Sequence, residues 1–500
     1  MSQLLKKIHA YALSQPTKIA LSSRVATLNY AQLYGQVESL TVQLKQTRCA
    51  RLGIWADNAP NWVVTQLAAM SAGINVIPIP TFFSSAQVHH LINHADIELI
   101  ILDERLTSAD PHLDFKHYAS TPLTLPSGLS AYQKSNLEST ANTADAKTAL
   151  VTFTSGSTGT PKGVCIGADL VDQMCRSLYS LTHEIGVKKH LCLLPLAVML
   201  ENVAGVFLPL YAGETVVIDG SDITGLKGSS QPDIQQLGLY LSTEQPHSLI
   251  VTPELLKLLL LLKLQGQALD HLKLIAVGGG KVPTQLLQQA HALNLPVYEG
   301  YGLSECGSVV ALNTPNATKL GSAGKALPHC EIKISDSDEI LVYGPHMQGY
   351  LHEPLLASDH ISTGDLGYID EEGFLFITGR IKNVQINSFG RNFSPEWIES
   401  EINGLPGVIR SAIFGDGKPY ITALIQTIPG ITATQLEQQI SQLNQSLPDY
   451  AQIKATLPMS AETLISNGLL TANGRIKRDA IEHYYTQQIE NGYSSVTVNL

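Results

Sequence analysis

Short apolar runs alternate with helix-spaced segments through the first 300 residues of the chain. Residues 51–56 (RLGIWA), 75–78 and 98–102 read as buried strands, each followed by polar or Gly/Pro punctuation. Between them, 62–72 and 86–94 carry apolar residues at helical spacing. Strand, helix, strand in succession predicts βαβ units and a parallel sheet. The pattern recurs at 191–195, 215–218, 248–252 and 272–277, with a helix predicted over 253–264 whose Pro253 occupies the favoured first turn. Residues 119–147 are rich in Ser, Thr, Ala, Asn and Pro with little periodicity, and read as a surface connection. After Gly379-Arg380 the texture changes to short alternating strands at 411–414 and 420–426 and a helical pattern over 433–447. The expected architecture is α/β: a large N-terminal body of parallel or mixed sheets with flanking helices (1–380), then a small mobile α+β C-terminal domain (381–500).

Composition narrows the class. The 500 residues suffice for roughly three compact units at about 150 each. With 15% charged and 44% hydrophobic residues, disorder is not expected. A net charge of −11 lacks the overall attraction a nucleic-acid binder needs. The six cysteines (49, 165, 175, 192, 306 and 330) form no Cys-x-x-Cys pair and read as reduced, mostly buried thiols. The opening MSQLLKKIHAYALSQP has no long apolar core after its lysines, which argues against a signal peptide. The Leu-rich stretch 255–264 is about half a bilayer span and carries Lys257 and Lys263. No integral membrane segment and a cytoplasmic location are expected.

The segment 152–164, TFTSGSTGTPKGV, runs from an apolar strand into a loop of small hydroxyl residues and glycines closed by Lys162. Glycines admit an anion close to backbone N–H groups, hydroxyls add donors, and a lysine adds a point charge for phosphates. A Walker A loop needs Gly before the Lys and Ser/Thr after it; Pro161 and Gly163 stand there instead, which excludes a P-loop NTPase. By itself such a segment is also what a solvated Gly/Ser-rich loop looks like.

TSGSTGTPKG resembles the phosphate-loop signature of the adenylate-forming (ANL) superfamily, which includes acyl-CoA synthetases, nonribosomal peptide adenylation domains and beetle luciferases. The resemblance continues in order along nearly the whole chain. VGGGK (277–281) resembles the adenine-side glycine segment, YEGYGLSE (298–305) the YGxTE element with Ser304 in the Thr position, and STGD (362–365) the ribose motif. GRIK (379–382) resembles the hinge and FGRNFSPE (389–396) the loop that faces the site during thioester formation.

That resemblance implies acid activation by ATP and Mg²⁺, then transfer to CoA or a carrier-protein pantetheine. A carboxylate is a poor electrophile, and joining it to AMP supplies a good leaving group. The step requires ATP's charge to be neutralised and the reactants held in line. Lys162 and the hydroxyls of Thr154, Ser155, Ser157 and Thr158, spaced by Gly156 and Gly159, would hold the departing pyrophosphate. Glu305 would ligate Mg²⁺, a hard cation that prefers oxygen ligands. Ser304 would face the α-phosphate, Tyr301 would stack on adenine beside Gly279 and Gly280, and Asp365 would accept the ribose hydroxyls next to Arg380. Lys382 would be the hinge and Gly390 the thioester-loop glycine. Individually the residues have plainer readings: Asp365 in TGDLG as a turn residue, Glu305 and Arg380 as solvated charges, Tyr301 as a packed aromatic.

Two positions depart from the family pattern. In LPLAVMLE (194–201), Val198 stands where many fatty acyl-CoA synthetases place a His or aromatic residue, which suggests an apolar acyl pocket lined by Val198, Met199, Val203 and Phe207. In NGLLTANGRIKR (467–478), the place of the catalytic lysine holds Arg475, a larger planar cation and not a conservative exchange. Arg475 would do the job itself, or Lys477 would substitute, or adenylation would be crippled.

The leading expectation is a fatty acid:CoA ligase. Lys281 is also similar to aryl-acid-activating members, so an aromatic acid stays open. Lys382, Arg391 and Lys418 are candidates for the CoA 3′-phosphate. The alternatives are a ligase that loads an acyl carrier protein, and a non-catalytic acyl or nucleotide sensor. His90 and His94 lie i, i+4 on a predicted helix with His89 adjacent, but no acidic residue completes a metal motif; a helix packed on the sheet is the expected account.

Overall fold

The computed structural model describes residues 2–109, 117–125, 128–135, 147–154, 162–226, 232–471 and 476–495. Two large sheets form the body. In the first, parallel strands Ile19–Ser22, Thr215–Val217, Lys189–Leu191, Ser248–Val251, Leu274–Val277 and Val297–Tyr301 lie side by side, with short antiparallel strands at both edges. In the second, Leu99–Asp103, Arg51–Trp55, Asn75–Pro78 and Thr148–Thr154 run parallel. Strand Thr148–Thr154 then pairs antiparallel with Lys162–Gly167, which pairs with Gly349–Tyr350. The sheets are mixed, and the central strands are almost wholly buried, as sheets covered on both faces require.

The predicted helix over 253–264 is present with those bounds. Thr252 caps it by accepting from the Leu255 N–H, and Leu256, Leu259, Leu260 and Leu262 are buried in a core shared with the sheet. Each such leucine contributes about 1.5–3 kcal/mol when fully buried. No helix among the described residues is long and apolar enough to cross a membrane. Helix Ser85–His94 buries Val88, Leu91 and Ile92, while His90 and His94 stack on each other at 5.2 Å and form no acid-bearing cluster among the described residues. All six cysteines are free, five of them buried.

One expectation is corrected. The surface connection over 119–147 contains strands Tyr118–Ser120 and Leu129–Lys134, which extend the second sheet antiparallel from Leu99–Asp103. Only Ala131 of the second strand is buried, so the strand has no apolar alternation to read.

A four-stranded antiparallel sheet follows (Glu331–Ile334, Glu339–Tyr343, His360–Ile369, Leu375–Arg380). Beyond it, strands Val408–Phe414, Ile421–Thr427 and Ile453–Pro458 form a separate sheet covered by helices Pro395–Asn403, Ala433–Asn444 and Arg478–Ser495. The bidentate pair Arg478–Glu399, at 2.7 and 2.8 Å, ties the last helix to this unit.

Candidate active site

The phosphate-binding candidates sit at a hairpin. Thr154 ends one strand and pairs in register with Lys162, which begins the next. A strand–loop–strand cannot be a P-loop, whose phosphate loop leads into a helix. Ser155, Gly156, Ser157, Thr158 and Gly159 lie outside the described residues. Gly163 is packed tightly: a Cβ there would meet Val151, Leu351 and Phe153 at 3.0–3.2 Å. The Lys162 ammonium projects outward, half-exposed, 3.4 Å from Glu353 and 4.9 Å above the Tyr350 ring.

Tyr350 joins this lysine to the predicted metal ligand. Its strand pairs with the Lys162 strand, and its hydroxyl donates to Glu305 Oε1 at 3.1 Å. Burial and the neighbouring Glu305 carboxylate push the phenol up to about 12. Ser304 and Glu305 lie on a single 3₁₀ turn, Ser304–Cys306, which is followed by Gly307 at φ 80°. The turn is reached through Gly302, where a Cβ would fall 1.6 Å from the Ser308 carbonyl oxygen, so only glycine fits. Glu305 offers hard carboxylate oxygens suited to Mg²⁺ beside the phosphate lysine. Tyr350 and Glu353 were not legible in the sequence as site residues.

Asp365 and Arg380 face each other in register on neighbouring strands. Arg380 Nε lies 2.6 Å from Asp365 Oδ1, and the Tyr301 hydroxyl donates to Oδ2 at 2.6 Å. Burial, with Asp365 alongside, pushes the Tyr301 phenol far up, so it stays a donor. Asp365 lies within a strand, and the turn-type conformation belongs to Gly364 at φ 68°. The plain turn reading therefore fails. Tyr301 holds the carboxylate as well as presenting its ring, a positioning role absent from the sequence reading.

From Tyr301 and Ser304 a cavity of about 240 Å³ runs inward along the face of the first sheet, under helix Ala168–Thr182 and the segment 198–212. Gly279, at φ 76°, lines its mouth; Gly280 does not line it, and a Cβ there would meet nothing closer than 3.9 Å. Val198 and Met199 line the cavity, as do Ala204 and Leu208. Val203 and Phe207 do not: both are fully buried in the core. The cause is the backbone. Glu201–Phe207 is a π-helix, whose wider turn shifts the inward face away from the positions a regular helix would present.

The same segment holds a buried polar chain. Glu201, 0% exposed, lies 2.9 Å from His190 Nε2 and accepts from the Leu194 N–H at 3.1 Å; His190 Nδ1 lies 2.8 Å from Ser248 Oγ. Gly205 makes room, since a Cβ would fall 2.2 Å from Glu201 Oε1. His190, Cys192 and Glu201 gather their ligand atoms within 4.8 Å, but His190 and Glu201 already satisfy each other as a hydrogen-bonded pair. His190 and Cys192 stand two residues apart at the end of one strand, and the π-helix that follows turns Glu201 back onto them.

Lys281 does not line the cavity. Its ammonium donates to the Ile377 carbonyl at 3.1 Å, and burial pulls its pKa down despite nearby Glu401, Glu299 and Glu396. Lys382 lies on an exposed 3₁₀ turn and Gly390 on a loop at φ 71°, with open space around it. Lys418 is engaged by Glu490 at 2.7 Å and the Tyr493 ring. Arg475 lies outside the described residues. Its flank is fixed: Leu470 bridges Ile476, and Lys477 Nζ donates to the Gly468 carbonyl at 2.9 Å.

Glycine turns, a carboxylate held by Tyr301 and Arg380 and a largely apolar cavity thus meet at one end of the first sheet. The chain belongs to the AMP-binding enzyme family: that family's model matches residues 8–352, and the AMP-binding enzyme C-terminal domain matches 383–497. Among similar proteins, a 2-succinylbenzoate–CoA ligase of Bacillus pumilus (strain SAFR-032) is 28% identical over 410 residues, 77% of this chain and 79% of that one. The long-chain-fatty-acid–CoA ligase FadD15 of Mycobacterium bovis is 29% identical over 247 residues, 43% of this chain and 41% of that one. The solved o-succinylbenzoate CoA synthetase of Bacillus subtilis, in complex with its acyl-adenylate intermediate, superposes with a TM-score of 0.73 at 22% identity, covering 96% of this chain and 97% of that one.

Proposed function

We propose that the protein is an ATP- and Mg²⁺-dependent acid–thiol ligase whose acid is an apolar monocarboxylate, a fatty acid of medium or greater length, and whose acceptor is CoA. The observation that carries the acid assignment is the cavity. Among the described residues no Lys or Arg lines it, so no permanently charged cation stands along the path of the acid's chain. It follows the strand Leu274–Val277 from Leu274 to Gly278, a path of about 13 Å at 3.3 Å per residue.

In this reading Lys162 and Thr154 bind the phosphate tail, Asp365 holds the ribose hydroxyls under the control of Tyr301 and Arg380, and Ser304 faces the α-phosphate. Glu305 holds Mg²⁺, which when bound neutralises phosphate charge. Tyr301 and Gly279 shape the mouth where acid and nucleotide meet, and Val198, Met199 and Ala204 exclude water from the acyl chain. The body, 1–380, forms the adenylate. The lid, 381–500, turns at Lys382 to bring the Gly390 loop over the site, and Arg475 supplies the cation of the first step.

An aromatic acid is the second reading, favoured by the 2-succinylbenzoate–CoA ligase named above. Acids of graded chain length and benzoates, offered with ATP and CoA, separate the two by pyrophosphate release. Activation of benzoates alone removes the fatty-acid assignment. Replacing CoA with a pantetheinylated carrier protein tests the acceptor, and nucleotide binding without pyrophosphate release would mark a sensor.

A further inference from the structure

The cavity is lined mainly by apolar side chains, with Tyr301, Ser304 and Ser308 at its mouth and a second polar set at its far end. There the strands begin, and Ser248 stands in register between His190 on one neighbour and Leu274 on the other. His190, Ser248 and Glu214 all line this end, and burial pushes Glu214 up to about 7.

The hydrogen-bond directions follow from the partners. The Leu194 N–H can only donate, so Glu201 accepts it, and a carboxylate also accepts from His190 Nε2–H. In the neutral imidazole Nδ1 of His190 is then the acceptor, and the Ser248 hydroxyl donates its proton to it. With that proton committed, Ser248 Oγ faces the cavity with lone pairs alone. Glu214 is a second oxygen acceptor at the same end. A chain ending in methyl would leave both acceptors facing hydrocarbon, which is unfavourable.

We propose that this end selects acids carrying a hydrogen-bond donor, a hydroxyl, about one strand-length from the carboxylate, accepted by Ser248 Oγ with the His190–Glu201 pair as its positioning support. A second carboxylate at this end is disfavoured, because it brings no donor to Ser248 Oγ. The inference rests on the fatty-acid reading above and refines it to ω-hydroxy acids.

The test compares dodecanoic and ω-hydroxydodecanoic acids as substrates of the full chain by pyrophosphate release. The native enzyme should favour the hydroxy acid in kcat/KM by about tenfold, the worth of one hydrogen bond to a buried acceptor. Ser248→Ala should abolish that ratio, and Ser248→Thr, which keeps the hydroxyl, should retain most of it. Equal kcat/KM for the two acids in the native enzyme, or a ratio that Ser248→Ala leaves intact, overturns the proposal while leaving the fatty-acid reading in place. Turnover of benzoates with neither aliphatic acid accepted removes both.

Discussion

The Tyr350 hydroxyl donates to Glu305 Oε1 at 3.1 Å while the Lys162 ammonium rests 4.9 Å above the same ring. One side chain thus holds the Lys162 ammonium and the Glu305 carboxylate in fixed relation. Tyr350→Phe keeps the ring under Lys162 and removes only the donor to Glu305. Pyrophosphate release by this variant should need about three- to tenfold more Mg²⁺ for half-maximal rate, with little change at saturating metal. An unchanged Mg²⁺ titration would show that Glu305 does not depend on this contact.

Asp365 depends on Tyr301 in a similar way, at 2.6 Å, and on Arg380. Removing the phenol oxygen leaves the carboxylate one donor short and free to rotate. Tyr301→Phe should raise the KM for ATP by about tenfold, with a smaller effect on kcat. Arg380→Lys should also weaken ATP binding, since a single ammonium cannot reproduce the planar guanidinium contact. Initial rates over an ATP series check both.

The parts of this structure that were legible beforehand are those in which local pattern and burial coincide. Strand Asn75–Pro78 is buried at every position, and helix Pro253–Leu264 opens on a cap and a first-turn proline. The edge strand Leu129–Lys134 was read as a connection because its exposed residues give no alternation. Val203 and Phe207, expected in the acyl pocket from the family resemblance of 194–201, face the core instead, in a π-helix that no local spacing announces. Tyr350 and His190 escaped notice for a different reason. Each matters through a neighbour from another element, Glu305 on a 3₁₀ turn in one case and Ser248 on the adjoining strand with Glu201 on the π-helix in the other, and no local spacing encodes that meeting.

Glu299 gives the fold a pH dependence. Burial lifts its carboxyl from the ordinary 4.5 to about 8, against the opposing pull of Lys281, and Oε2 has no hydrogen-bond partner among the described residues. Below about 4.5 both folded and unfolded chains hold this proton. Between 4.5 and 8 the unfolded chain releases it and the folded chain keeps it, so the contribution to stability falls as pH rises through that window and levels off above it. Glu214, lifted to about 7, acts in the same direction. Glu299→Gln should flatten the decline of Tm between pH 5 and 8, and at pH 8 should melt a few degrees higher than the native protein. A parallel decline in both proteins would contradict the assignment.

The Glu201–His190 pair has a structural consequence independent of the acid it faces. Glu201→Ala would leave a buried N–H at Leu194 and a ring nitrogen of His190 without their acceptor. Removing one partner of such a buried pair costs about 3–5 kcal/mol. Glu201→Gln, which still offers an amide oxygen, should cost much less. Thermal melts of the two variants beside the native protein give the ranking directly, and equal Tm losses would argue against the hydrogen-bond account.

The choice between Arg475 and Lys477 as the cation of adenylate formation can be argued from what Lys477 already does. Its ammonium donates to the Gly468 carbonyl at 2.9 Å, and its backbone N–H donates to the Leu469 carbonyl at 2.9 Å, so it is tied to the segment beside the Leu470–Ile476 bridge. A lysine engaged on its own domain would have to give up that bond to reach a phosphate. Arg475→Ala should therefore lower acid-dependent pyrophosphate release by at least about a hundredfold, the scale on which a single charge-stabilising donor contributes to a rate. Lys477→Ala should lower it by no more than about threefold, through loosening of the turn. Measuring the second half-reaction, thiol attack on preformed acyl-adenylate, adds a control: neither variant should slow it appreciably if the cation serves only the first step. The opposite ranking in pyrophosphate release would transfer the role to Lys477.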